Sequence, residues 1–178
     1  MRGRTEILIS GFGGQGIVRL GQIFGLAAVK QSYRVAMLKS HGTEQRGGYV
    51  RAQVIVSSEP IDSPIVEDPD YFCAFSTPAY HRHVDMVSHG AIFYDPSSTV
   101  IIDEGKAKII THYAVAAKDV AIEKLGHPIY ANSIMLGAMA RKIEIFNKET
   151  LVSAMLDTMP KFKEENVTAF QAGYELIE

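Results

Sequence analysis

Apolar and polar positions along this chain switch between two periods. Thr5–Ser10 is a short apolar run of strand length. A glycine-rich stretch interrupts it, and helical spacing then predicts a helix over Gln15–Lys30. Arg34–Leu38 reads as a second strand. Lys39–Gly48 has turn chemistry without periodicity and is expected to be a loop. Val50, Ala52, Val54 and Val56 alternate within Tyr49–Ser57, the signature of a strand with one buried face. Ile55 breaks that alternation and points to cover on the other face too. Pro60–Pro69 is a connection, and Tyr71–Phe75 is a continuous apolar run that suits a central strand.

Helix and strand signals keep alternating. Pro78–Ser88 is a helix with proline in its first turn, and Ala91–Tyr94 is a strand closed by Asp95-Pro96. Thr99–Ile102 and Lys108–Tyr113 are expected as short strands about a turn at Asp103–Gly105, followed by a helix over Val115–Leu125. The last third is helical. Asn132 or Ser133 is expected to cap a helix running to Lys142. Asn147–Met159 and Lys161–Ile177 follow, the last with Phe162, Val167, Phe170 and Tyr174 as a buried stripe. The fold class is therefore α/β: a three-layer α/β/α sandwich with a largely parallel, Rossmann-like sheet and a helical C-terminal third. Residues 1–178 read as one domain. Right-handed crossovers place the loops after strands one and two at the same carboxyl edge of the sheet.

Composition narrows the function classes. A net charge of −2 offers no global attraction to nucleic acid or an acidic membrane. No apolar run approaches the ~20 residues of a membrane span, and the N-terminus lacks the pattern of a signal peptide. A single cysteine, Cys73, leaves no intrachain disulfide and no all-cysteine metal or iron–sulfur site. The six histidines show no ligand spacing, so no metal ligand is assigned. The cytoplasm is the expected compartment.

The glycine stretch carries the chemistry. Gly11, Gly13 and Gly16 fit G-x-G-x-x-G between a strand and a helix, where backbone N–H groups and a helix dipole face an anion. The acidic ribose-binding residue expected ~20 positions on is missing near Ser40, which weakens a dinucleotide reading. A tight turn that only packs strand against helix remains an alternative. Gln15 can present its amide to a ligand or cap backbone groups. The second loop offers Ser40, Glu44, Gln45 and Arg46 among glycines 42, 47 and 48, and an arginine there suits phosphate. A plain solvated loop is its bland reading. No catalytic acid–base pair or nucleophile motif occurs.

Taken together, the motifs resemble one family. Gly11-x-Gly13-Gly14-Gln15-Gly16 is followed by Ser40-His41-Gly42-x-Glu44-x-Arg46-Gly47-Gly48. Then come Ile61-x-x-Pro64, Asn132-x-x-x-Leu136-Gly137-Ala138 and Glu165-Asn166-x-x-Ala169-Phe170. The chain resembles the gamma subunit of the 2-oxoacid:ferredoxin oxidoreductases, and the equivalent domain of single-chain pyruvate:ferredoxin oxidoreductases. His41 stands where the family usually has tyrosine, and Thr43 where proline or alanine is frequent.

The resemblance implies a complex that converts a 2-oxoacid, coenzyme A and oxidised ferredoxin to an acyl-CoA, carbon dioxide and reduced ferredoxin. Partner alpha and beta subunits, with a delta subunit as a further candidate, would hold thiamine diphosphate, Mg2+ and the iron–sulfur clusters. Ferredoxin would be met through the complex. This chain would carry no cofactor of its own and would help bind coenzyme A as co-substrate. The implied contacts are Gly11, Gly13, Gly14, Gln15, Gly16, Ser40, Glu44, Arg46, Gly47, Gly48 and Asn132. The 2-oxoglutarate type is the expectation, with pyruvate, branched-chain and indolepyruvate types open. Independently of the resemblance, the glycine-bearing loops and apolar runs are expected to leave exposed apolar surface that is buried in a partner or, for the isolated chain, in a homodimer. The competing reading is a stand-alone Rossmann-like nucleotide-binding protein.

Overall fold

A computed structural model describes residues 3–41, 48–98 and 101–178, with only the backbone of His41. Six strands among these residues form one sheet: β1 (Arg4–Phe12), β2 (Arg34–His41), β3 (Tyr49–Ser57), β4 (Tyr71–Ala74), β5 (Ala91–Tyr94) and β6 (Thr111–Ala114). Their order is β2-β3-β1-β4-β5-β6. β4 lies parallel to β1, β5 to β4 and β6 to β5. β3 runs antiparallel to both of its neighbours, β1 and β2. β2 therefore points the same way as β1, and the sheet is mostly parallel as expected. The departure is the β2–β3 hairpin, which seats β3 directly beside β1.

Among the described residues seven α-helices flank the sheet: α1 (Ile17–Lys30), α2 (Thr77–His83), α3 (Glu104–Ala107), α4 (Ala117–Leu125), α5 (Ala131–Lys142), α6 (Lys148–Thr158) and α7 (Lys163–Leu176). Alternation along the strands sorts the two faces. Ile7 and Ile9 of β1 and the even-numbered valines of β3 pack with α1 and the C-terminal helices. Leu8 and Ile55 pack with Tyr80 of α2, Val66 and Val84 on the other face. Ile55 thus reports a covered second face, as its break in the alternation suggests.

Several elements differ from the sequence reading. Lys39, Ser40 and His41 extend β2, because backbone pairing with Ala52, Arg51 and Val50 of β3 overrides their polar side chains. Such residues are tolerated on an edge strand that faces water on one side. The segment expected as a strand at 99–102 holds none among its described residues, Ile101 and Ile102. The turn expected at Asp103–Gly105 becomes the start of α3, where the Asp103 carboxylate accepts from the Lys106 N–H at 2.8 Å. Neither Asn132 nor Ser133 caps α5. A 3-10 turn at Pro128–Tyr130 leads straight into that helix, and both residues fall inside its first turn.

The expected α7 stripe is half right. Phe170 is buried and Tyr174 packs against the core, but Phe162 is 57% exposed and Val167 37%. Asn166, Ala169, Phe170, Ala172 and Gly173 form the buried face instead. The reason is backbone proximity. A Cβ on Gly137 of α5 would lie 1.9 Å from the Phe170 carbonyl oxygen. One on Gly173 of α7 would lie 1.8 Å from that of Ile134. The two glycines let α5 and α7 touch backbone to backbone.

Candidate functional site

The end of β1 turns at Phe12–Gln15, and the Gln15 N–H donates to the Phe12 carbonyl at 3.2 Å. The Gln15 side chain is spent on this turn. Its Oε1 accepts from the Phe12 N–H at 2.6 Å, and its Nε2 donates to the Phe75 carbonyl at 3.0 Å. The amide ties the ends of β1 and β4 together. Gly11 makes room for it, since a Cβ there would sit 2.4 Å from Gln15 Oε1 and 2.9 Å from Phe75 Cβ.

Gly16 then takes a left-handed conformation, φ 76°, at the N-cap of α1. A Cβ on it would fall 2.0 Å from Asn132 Nδ2. The Asn132 carboxamide therefore lies against the start of α1. Among the described residues no side chain caps this helix, and its first turn holds no acidic residue. Its free N–H groups and the positive end of its dipole stay available to an anion.

The glycine loop, the first turn of α1, the 128–132 segment and the 158–162 segment line one cleft of about 1150 Å3. Small-molecule sites commonly measure about 300–1,000 Å3, so this one suits a long ligand. Arg19, Lys118 and Lys161 bring positive charge to it. Asp95 also lines it but is 2% exposed. Its carboxylate accepts from the Ser97 hydroxyl, from the Ser97 N–H at 2.9 Å and from the Lys118 N–H at 2.9 Å. Asp95 thus ties the end of β5 to α4, and its charge is already engaged.

The structure brings Gly13, Gly14, Gln15, Gly16 and Asn132 to this cleft; Gly11 sits behind it. Gly48 meets the glycine loop through its carbonyl, which accepts from the Gly13 N–H at 2.9 Å. Ser40 stands opposite Arg51 on β2, with β3 between it and β1. Two strand spacings, about 10 Å, separate it from Ser10. Glu44, Arg46 and Gly47 lie outside the described residues.

At the start of β3 runs a polar chain that sequence reasoning did not single out. The buried Ser10 hydroxyl donates to Tyr49 Oη at 2.7 Å. The Tyr49 hydroxyl is then free to donate to Nε2 of the buried His83. The Arg82 guanidinium lies over the Tyr49 ring at 4.4 Å. Burial lowers the pKa of His83 below the usual 6.5, in keeping with a neutral ring that accepts this hydrogen bond. Cys73 is fully buried, and burial raises its thiol pKa well above 9.0, which makes it inert. Asp95, Lys118 and Lys161 were also missed, because each reaches the cleft only through tertiary packing; Arg19 was missed although it lies in the first turn of α1, three residues after Gly16. Asn166 lay in a quoted motif with no role attached.

A family model described as pyruvate ferredoxin/flavodoxin oxidoreductase matches residues 6–176. The chain belongs to that family. Among its oxidoreductase relatives, the 2-oxoglutarate synthase subunit KorC of Methanocaldococcus jannaschii is 39% identical over 175 residues, covering 97% of this chain and 94% of that protein. The keto/oxoacid ferredoxin oxidoreductase gamma subunit of Geobacter sulfurreducens superposes with a TM-score of 0.83 at 28% identity, covering 97% of each chain. The 2-oxoglutarate:ferredoxin oxidoreductase of Magnetococcus marinus was solved with 2-oxoglutarate, coenzyme A and succinyl-CoA bound. It matches with a TM-score of 0.89 at 26% identity, over 99% of this chain and 31% of that one. The gamma-type oxidoreductase resemblance and the α/β fold are borne out, and the stand-alone nucleotide-binding reading is not favoured. Among the described residues no group of three or more His, Cys, Asp or Glu is placed to hold a metal. No helix among them is long and apolar enough to cross a membrane.

Proposed function

We propose that this chain is the gamma subunit of a 2-oxoglutarate:ferredoxin oxidoreductase and that its cleft receives coenzyme A. The observation that carries the reading is the cleft itself. A glycine loop and an open helix start meet Arg19, Lys118 and Lys161, while Asp95, the carboxylate among the described lining residues, is already hydrogen-bonded. That surface suits the phosphates of coenzyme A. The identity to KorC and the likeness to an oxidoreductase solved with coenzyme A bound support the same reading. Gly48, two residues after Arg46 in the sequence, meets the glycine turn through its carbonyl, and Arg46 is proposed as a further phosphate contact. Thiamine diphosphate, Mg2+ and iron–sulfur clusters would sit in partner alpha, beta and delta subunits. The single buried Cys73 cannot supply the several thiolates an iron–sulfur cluster needs. The role of this chain is then to bind, orient and shield the thiol substrate.

The test is steady-state kinetics on the assembled complex. A charge-assisted hydrogen bond is commonly worth about 1.5–3 kcal/mol. Arg19→Ala combined with Lys118→Ala should therefore raise the apparent KM for coenzyme A by roughly tenfold or more. Arg46→Ala should raise it about ten- to a hundredfold by the same conversion. Unchanged constants in intact complexes of all these variants would remove coenzyme A from this cleft.

A further inference from the structure

Phe162 is the strained residue of the cleft. Its backbone sits at φ 55°, ψ 47°, the left-handed region that glycine or asparagine ordinarily fills. The residue is 57% exposed, so core packing does not hold it there. A buried polar network does. The Asn166 Nδ2 donates to the Lys161 carbonyl at 3.1 Å and to the Phe162 carbonyl at 2.9 Å. The Asn166 Oδ1 accepts from the Ser133 hydroxyl at 2.7 Å. The Asn166 N–H donates to the Phe162 carbonyl as well, at 2.9 Å. The chain thus spends a buried asparagine to hold a bulky aromatic in a disfavoured conformation facing water. Strain of this kind persists where the surroundings over-determine it, and it concentrates at ligand clamps.

The neighbours indicate what is clamped. The Tyr130 and Phe162 rings stand edge to face, with centroids 6.4 Å apart. Ile129, next to Tyr130, is 59% exposed and lines the same cleft. Exposed apolar side chains therefore sit beside Lys161, with Lys118 and Arg19 in the same cleft. A ligand that matches carries a flat ring next to anionic groups. In coenzyme A only the adenine is flat and aromatic, and the ribose that carries it also bears the 3′-phosphate and the diphosphate.

Resting on the coenzyme A reading, we infer that Phe162, with Tyr130 edge-on against it and Ile129 in the same cleft, grips the adenine ring of coenzyme A by stacking. The test uses the assembled complex with two thiol substrates, coenzyme A and pantetheine, which lacks the adenosine and its phosphates. Phe162→Ala should raise the KM for coenzyme A about five- to a hundredfold, the range over which alanine substitution weakens base–aromatic stacking. It should leave the KM for pantetheine unchanged, and Phe162→Tyr should keep the wild-type preference.

Phe162→Gly adds a readout that a merely structural role would not give. It relieves the left-handed strain, so the thermal midpoint should rise while the KM for coenzyme A also rises. An unchanged coenzyme A constant in Phe162→Ala, or equal losses for both thiols, would overturn the clamp. The Arg19 and Lys118 variants separate the two readings. If they weaken coenzyme A while Phe162→Ala does not, the clamp falls and the cleft stands. If neither has an effect, both fall.

Discussion

Placing a methyl group on Gly137 should drive α5 and α7 apart. The new Cβ would lie 1.9 Å from the Phe170 carbonyl oxygen and 2.8 Å from the Tyr174 nitrogen, whereas ordinary contact begins near 3.4 Å. Both obstacles are backbone, so no rotamer change relieves them. Overpacking typically costs about 1–3 kcal/mol, and a backbone obstacle puts this case near the top, at about 3 kcal/mol. Alanine returns roughly 1 kcal/mol of helix propensity. The net loss is then about 2 kcal/mol. For a chain of this size it lowers the thermal midpoint by about 4–8 °C.

Gly25→Ala is the internal control. That glycine is also buried in a helix, but its Cβ would meet Val35 Cγ2 at 3.7 Å, an ordinary contact. It should be neutral or stabilising by up to about 1 kcal/mol. Thermal and urea unfolding of the full chain, followed by circular dichroism, reads both variants. A Gly137→Ala protein as stable as wild type, or two variants shifting alike, would refute the backbone-contact argument.

Gly16→Ala should destabilise the chain by about 1–2 kcal/mol through its left-handed backbone, with a further loss from displacing Asn132. Asn132→Ala should recover only that second part, so a double-mutant cycle should return a non-zero coupling; strict additivity would mean the two residues do not touch. His83 gives a pH signature. Its folded pKa lies below the unfolded 6.5, so its contribution is intact above pH 6.5, falls as the pH drops through 6.5, and levels off once the folded form protonates too. His83→Gln should flatten that part of the stability profile, and an unaltered slope would exclude His83 as its source.

The periodicities of β1, β3 and α1 and the glycine loop were legible because each is local. Ile7–Ile9 and the alternate valines of β3 must bury the same faces in any sheet that contains them. The path of β3 was not legible. Nothing within Tyr49–Ser57 says that it will pair antiparallel on both sides. Nor did Asp95 announce a role in the cleft, since it is drawn there by the start of α4, twenty-odd residues later. Phe162 misled for a physical reason. Its spacing matches a buried helical stripe, but the residue precedes α7 and has left-handed rather than helical angles. Asn132 read as a cap because the 3-10 turn that starts the helix earlier gives no periodic signal.

The reciprocal glycine contact between α5 and α7 also bears on synthesis at the ribosome. β1, α1, β2 and β3 come from the first third of the chain, and β4 adds to β1 soon after. The wall bearing Phe162 and Asn166 emerges only with the final helix. That helix cannot dock until Phe170 and Gly173 have left the exit tunnel to meet Gly137 and Ile134. The glycine loop therefore exists long before the cleft does. A nascent chain presents an anion-binding turn without its opposite wall, and the site becomes complete only after α7 has emerged and docked.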